Sequence, residues 1–453
     1  MKNKKIGSVL LLLVVSAAWL WFFSGATFSN DDWPEQVSYA SVVQDAIQLF
    51  QLPWFSDKEI LFGTNKLMLN CMVDLSPTAL LLKLFTVKQF FVIEFLIFSG
   101  IGVIGCVKLA NYWGMNWVAA FFLVAMSQFN GFVLAQIAVG HKTMEPILFL
   151  PWLIYYYSFL RDSVCSERRI FPINLLILKI SLVLVGSLLI GGIHPFTWFA
   201  MLLAMLVVFD PRVRWHLSKA IFIAVGLSFW RIFPEAWRCW GLQHPFLSGY
   251  PSLNILLSAL TQIGNHETPI MGTHIAIRWW EYSMFIGVGA FFSILLFNFF
   301  IRCGNCKHLA ALMVSGVVFF YIAASDVWLG VHLTRLPLSN SEAVSSRFMV
   351  MALFIAAFFA ADSFSQWDFK HKKWIGWAVM CGMMFELFEN AIMWRPANFN
   401  VVVGEPSHIL TGFPDFQYQK VVGVPIFISA LFALFVVRRI FTDMESRHEP
   451  IKG

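Results

Sequence analysis

The chain has 453 residues, 58% of them hydrophobic and only 13% charged, with a formal net charge of +6. Such a balance excludes an ordinary water-soluble globule, and basic residues dispersed over many segment ends exclude a nucleic-acid-binding stripe. It predicts an all-α polytopic membrane protein, because every span in a bilayer must satisfy its own backbone hydrogen bonds and helices do so.

The first element is an apolar run from Ile6 to Phe23 behind three lysines at positions 2, 4 and 5. It is long enough to cross a hydrocarbon core of about 30 Å, and the positive flank places its start in the cytoplasm. Ser24-Gly25-Ala26 would suit cleavage of a signal peptide, but the length of the run and its Trp19 and Trp21 favour a retained helix. Asn30-Asp31-Asp32-Trp33-Pro34-Glu35 follows, an acidic cluster at the outer mouth of the membrane. Residues 37–49 then mix Val37, Val42, Val43, Ile47 and Leu49 with Gln44, Asp45 and Gln48, as expected of a helix lying along the interface.

Eleven further apolar runs bring the expected spans to about twelve, at 6–24, 88–110, 116–137, 146–160, 173–193, 196–209, 219–233, 283–301, 308–325, 348–364, 374–391 and 422–437. Alternating connectors from a cytoplasmic start puts Arg161/Arg168/Arg169, Arg212/Arg214/Lys219, Arg302/Lys307, Lys370/Lys372/Lys373 and Arg438/Arg439 inside, the pattern that orients membrane proteins. Both termini are then cytoplasmic. The long connectors, about 25–87, 234–282, 326–347 and 394–421, fall outside, so the working face is extracytoplasmic. Ser252 to Ile263 reads as a second interfacial helix. With no linker, low-complexity tract or repeat, residues 1–453 read as a single integral membrane domain.

Of seven cysteines, only Cys71 and Cys239 fall in outer loops, so no disulfide framework is implied. Cys303-x-x-Cys306 with His308 has half the spacing of a zinc site and lacks the other half.

Polar groups break apolar segments at their outer ends in Gly140-His141-Lys142, Gly192-Ile193-His194-Pro195 and Arg231-Ile232-Phe233-Pro234-Glu235. Arg278 with Glu281 and Ser345-Ser346-Arg347-Phe348 extend the set. All share one side with Asp31, Asp32 and Glu35. The plain reading is that the cations are snorkelling span ends. The functional one is that carboxylate bases stand beside cations able to hold phosphate, since ionisable groups near hydrocarbon are costly without a partner or a task. Two adjacent acids at a bilayer surface repel each other, which packing does not explain.

Asp32-Trp33, Leu52-Pro53-Trp54-Phe55, Leu75-Ser76-Pro77, Asn130-Gly131-Phe132, Gly140-His141 with Leu150-Pro151-Trp152, Arg231-Ile232-Phe233-Pro234, Phe285-Ile286-Gly287 and Ser346-Arg347-Phe348 occur in an order that resembles the GT-C glycosyltransferases, including YfhO-like bacterial multispanning proteins. The resemblance covers most of the chain. It departs from the pattern in two places: a glycine-rich stretch after Pro53-Trp54 is reduced to Gly63, and a soluble C-terminal sugar-binding domain is missing. The resemblance implies a GT-C-like fold in a bacterial inner membrane. It also implies transfer of a sugar from a polyprenyl-phosphate carrier to an extracytoplasmic glycan, lipid or protein acceptor, with Asp32 or Asp31 as catalytic base.

In such a reaction Glu35, His141, Lys142, His194, Arg231, Glu235, Arg278 and Arg347 are the substrate-binding candidates, with Arg231 and Arg347 foremost because a guanidinium fork matches phosphate oxygens. No cofactor is required, and a divalent cation bridging acids and phosphate is the alternative. A transporter or flippase for lipid-linked sugars would place the same charges along a pathway, and a glycan polymerase or ligase would use the outer Arg and His without an acidic base.

Overall fold

The computed structural model describes residues 2–60, 64–165, 172–240, 249–263, 269–270, 277–300, 309–324, 344–367, 373–398, 406–412 and 415–445. Their α-helices, in chain order, are α1 (Lys2–Phe23), α2 (Trp33–Gln48), α3 (Val87–Tyr112), α4 (Trp117–Gln128), α5 (Gly131–Ala138), α6 (Leu150–Cys165), α7 (Ile173–Leu189), α8 (Ile193–Phe209) and α9 (Arg214–Cys239). They continue with α10 (Leu253–Thr261), α11 (Val288–Leu295), α12 (Ala310–Ala323), α13 (Met349–Gln366), α14 (Lys373–Met393) and α15 (Phe416–Glu445). The protein is a helical, membrane-embedded one. Among the described residues, six stretches are long and apolar enough to cross a bilayer: Ile6–Phe23, Val87–Tyr112, Trp117–Ala138, Arg214–Cys239, Ser345–Gln366 and Phe416–Arg439. All twelve apolar runs read from the sequence contain helix, but several are too short or too interrupted to join these six.

The run expected as one span at 116–137 shows why. Asn130 accepts from Val133 N at 3.1 Å, capping α5, and its amide donates to Met126 O at 2.7 Å, closing the last turn of α4. One side chain satisfies orphan groups of both helices, so the break is stable inside an apolar run. Both segments expected as interfacial helices are helical, as α2 and α10, the latter capped by Ser252.

The chain divides into two compact units. The first comprises residues 1–37, 88–155 and 243–405. In it α13 packs on α4 and α12, and α14 on α4, α5 and α11. An aromatic cluster at the end of α1 fills its core, with Trp19 4.4 Å from Phe95 and 5.4 Å from Phe129, and Phe28 4.6 Å from Trp33.

The second comprises residues 38–87, 156–242 and 406–453. Here α9 packs against α7, α8 and α15. Ser429 Oγ donates to Gly226 O and accepts from Trp230 N, both at 3.1 Å, binding α9 to α15 across small residues. A β-hairpin, β1 (Phe55–Ile60) with β2 (Thr64–Lys66), lies in the first long loop and is joined by residues 408–410 through Asp57 N to His408 O and Leu410 N to Phe55 O. Beneath it Phe55, Met68, Tyr418 and Val422 form a small core. Gly191, with φ +92°, lets the turn before α8 lie directly on Met72 O. Two further short strands, β3 (Pro269–Ile270) and β4 (Ile277–Arg278), pair antiparallel in the first unit.

Candidate functional site

The acidic loop of the first unit is seated by backbone. Phe28 and Asp31 take left-handed conformations (φ 53° and 46°), turning the chain from α1 into α2. Trp33 is buried and its Nε1 donates to Ala138 O at 3.1 Å; the Asn30 amide donates to the same oxygen at 3.1 Å, and Asp32 N donates to Val139 O at 3.0 Å. These bonds satisfy carbonyls at the C-terminal end of α5 that no helical turn reaches. Gly140 makes the approach possible: its φ is +91°, and a Cβ there would stand 2.5 Å from Trp33 N.

The next residue, His141, therefore faces Asp32, with Nε2 2.7 Å from Oδ2. Its Nδ1 bonds Gln136 Oε1. Because Gln136 Nε2 donates to Trp280 O at 2.9 Å, its oxygen is left for His141, and Nδ1 must be the donor. The imidazole thereby bridges Gln136 and the Asp32 carboxylate. Burial alone would raise the Asp32 carboxyl. The hydrogen bond and charge of His141 act against it, Glu281 adds a smaller upward push and Arg347 a downward one, and the result lies below the usual 3.8. The side chain remains 51% exposed, so this carboxylate is both ionised and reachable.

Two more segments complete the cluster. Arg278 Nη1 lies 3.0 Å from Asp31 Oδ1, its guanidinium 4.8 Å from the Trp280 ring centre, with 57% of its side chain exposed. Glu281 receives Arg347 in a two-point fork, Nε to Oε2 at 2.7 Å and Nη2 to Oε1 at 2.6 Å, and both side chains are buried. Ser346 Oγ donates to Glu281 O at 2.7 Å, fixing the turn that carries the acid. Asp31, Asp32 and Glu281 thus meet Arg278, His141 and Arg347, drawn from four separate stretches of chain. Chemically this is a proton-accepting carboxylate beside an exposed guanidinium, with the second guanidinium already occupied.

The other expected site residues are placed differently. Glu35 is partly buried in the first turn of α2, its N–H bonded to Asp32 O at 3.2 Å. Lys142 is 3% exposed, pairs with the fully buried Glu94 at 2.5 Å and lies over the Phe90 ring at 5.2 Å. His194, Arg231 and Glu235 belong to the second unit. His194 stands at the start of α8 beside Trp198. Arg231 is 2% exposed and its Nη2 donates to Cys71 O at 2.9 Å and Val73 O at 2.5 Å. Glu235 accepts from Cys71 N at 2.9 Å and pairs with Arg238. Burial, reinforced by Glu235 and opposed by Arg231, pushes the Cys71 thiol well up, so it stays protonated.

Gln136, Asn30 and Ser346 were not singled out from the sequence as site residues. Gln136 did leave a signal, as the only polar side chain in the apolar stretch Gly131 to Val139. Among the described residues no group of three or more His, Cys, Asp or Glu could hold a metal ion; Cys303, Cys306 and His308 lie outside them.

These features define a helical membrane protein with an ionic cluster at the ends of its apolar helices. No protein-family model matches the chain, and no curated protein matches its sequence.

Proposed function

We propose that the protein is a GT-C-type inverting glycosyltransferase of about twelve spans in a bacterial inner membrane, with cytoplasmic termini and its site outside. Its donor is a polyprenyl-phosphate-linked sugar and its acceptor a glycan, lipid or protein. The observation that carries this reading is the half-exposed Asp32 carboxylate, held ionised by His141 and flanked by Arg278.

In the step envisaged, an acceptor hydroxyl gives its proton to Asp32 as its oxygen attacks the anomeric carbon. The bond from that carbon to the carrier phosphate breaks, and the phosphate leaves with the electron pair. The proton taken up is released from the exposed carboxylate to water. Arg278, the accessible guanidinium, neutralises the departing phosphate, for which it must loosen its hold on Asp31. A general base of this kind contributes about 10² to 10⁴ in rate.

A transporter or flippase for lipid-linked sugars is the second reading, favoured by the buried Glu94–Lys142 ion pair on and beside the span α3. The two separate in one experiment. Purified protein in nanodiscs is offered a panel of polyprenyl-phosphate sugars with acceptor glycans, and the same protein in vesicles is assayed for donor movement. Acceptor glycosylation by wild type and not by Asp32→Asn supports transfer; donor crossing without a glycosylated product supports transport. Orientation is tested by single cysteines at Asp57, which should label from outside, and at Arg212, which should not.

A further inference from the structure

A cavity of about 350 Å³ lies within the first unit between α1, the α4–α5 pair and α14. Val14 and Trp21 on α1, Val124 and Leu134 on α4 and α5, and Met384 and Phe388 on α14 line it, and every other wall residue is apolar as well. From Val14 to Trp21 it follows α1 for about 10 Å at roughly 1.5 Å per residue. That is most of one leaflet of a bilayer whose core is about 30 Å thick. Leu13, Leu20, Phe385 and Ile392, next in sequence to wall residues, are exposed apolar side chains, so the same helices also present a surface suited to lipid.

At one end stands a cation. Arg395 follows α14 directly, its guanidinium 4.8 Å from the ring centre of Trp21, which in turn stacks on Phe388 at 5.1 Å. Its Nη2 donates to Ser24 O and Ser24 Oγ, each at 2.9 Å. Among the described residues no carboxylate pairs with it, and its Nε is buried without a hydrogen-bond partner. By contrast, the arginines of this unit's ionic cluster, Arg278 and Arg347, each have an acid. An apolar slot about 10 Å long, with an unneutralised guanidinium and a hydroxyl beside Trp21 at one end, matches a molecule with a hydrocarbon chain and a phosphate.

We infer that this groove is a binding site for a glycerophospholipid of net negative charge, one acyl chain between α1 and α14 and its phosphate on Arg395 and Ser24. The surrounding bilayer is the source, because its lipid is present in vast excess over any scarce carrier and occupies such a site by mass action. A zwitterionic headgroup fits less well, since its own ammonium competes for the phosphate. The lipid holds α1 against α14, which line opposite walls. The site stands whether or not the protein transfers sugars.

The test uses full-length protein in nanodiscs containing a phosphatidylglycerol that carries a photoreactive group in its acyl chain. Labelling should concentrate on residues 14–21 and 384–391. Arg395→Gln should lower it about tenfold, as expected for loss of a charge-assisted contact, and a phosphatidylcholine probe should label wild type about tenfold less. Ala18→Trp, which fills the groove, should abolish it; if that variant fails to fold, Arg395→Gln decides alone. Even labelling of all lipid-facing helices, labelling unchanged in Arg395→Gln, or displacement of the probe by polyprenyl phosphate more readily than by phosphatidylglycerol would each overturn the assignment.

Discussion

Arg231 in the second unit and Arg347 in the first are the two arginines that the sequence marks foremost for phosphate, one within α9 and the other just before α13. Their surroundings make them different devices. Arg231 spends its fork on the backbone carbonyls of Cys71 and Val73 and so fastens a loop to α9. Arg347 spends its fork on the Glu281 carboxylate, a stretch of chain that also carries Arg278 beside the acidic loop. A buried guanidinium therefore does not announce a phosphate site, because neutral carbonyls or one carboxylate satisfy it equally well. Of the arginines around the acidic loop, the exposed Arg278 is the one left able to meet a donor phosphate.

Substitutions sharpen that contrast, and the largest effect should come from neither arginine. Asp32→Asn should lower transfer by about 10² to 10⁴ and lower the melting temperature at neutral pH only by the small contribution of its pair with His141, measured as turnover and melting temperature on one preparation. The same variant reports pH linkage. Because the folded Asp32 carboxyl lies below its ordinary value of 3.8, its contribution to stability is fully present above that value and is lost as pH falls through the lower folded one. The stability difference between wild type and Asp32→Asn should thus shrink as acid is added below the ordinary value, and a difference constant across that window would refute the pairing with His141.

Next comes Arg347→Gln, which strands a buried carboxylate and should cost about 3–5 kcal/mol of stability. Adding Glu281→Gln should recover part of that loss, as a double-mutant cycle in detergent would register. Arg231→Ala should cost about 3 kcal/mol, from two buried carbonyls left unpaired, and Glu281→Gln should do nothing to rescue it. If the Arg231 and Arg347 variants respond alike to Glu281→Gln, the distinction drawn between them collapses. The smallest stability effect belongs to Arg278→Gln, whose exposed pair with Asp31 is worth under about 1 kcal/mol. Its signature should instead be a donor KM raised about tenfold, and an unaltered KM would remove Arg278 from the phosphate.

The helical, membrane-embedded character was legible because it rests on long apolar runs, which report burial in lipid directly. The acidic loop was legible for the converse reason, since Asp31 and Asp32 stand where charge is costly. What the charges pair with was not. Glu281 and Arg347 are separated by 66 residues, and His141 finds Asp32 through a glycine turn more than a hundred positions away, contacts that no local period encodes. The β-hairpin at Phe55–Lys66 was equally hidden, since its neighbour at residues 408–410 lies some 350 positions on and the strands are short and polar. Breaks inside apolar runs, as at Asn130, were open to reading in principle, because a lone Asn before Gly amid apolar residues is a capping signal.

Gly140 turns the ordinary ranking of residues by importance upside down. Asp32 N and the Asn30 and Trp33 side chains seat the acidic loop against it, so the loop's exposed side chains are free to drift over generations without unseating it, while this one position has no substitute. In a library that randomises residues 28–35 and 140 together, survivors should vary at the positions other than Phe28, Asn30, the two aspartates and Trp33, yet return the same single codon family, glycine, at 140. What aligns the carboxylate with its histidine is the lack of a carbon atom, and the genetic record of this site should be sharpest at its least reactive residue.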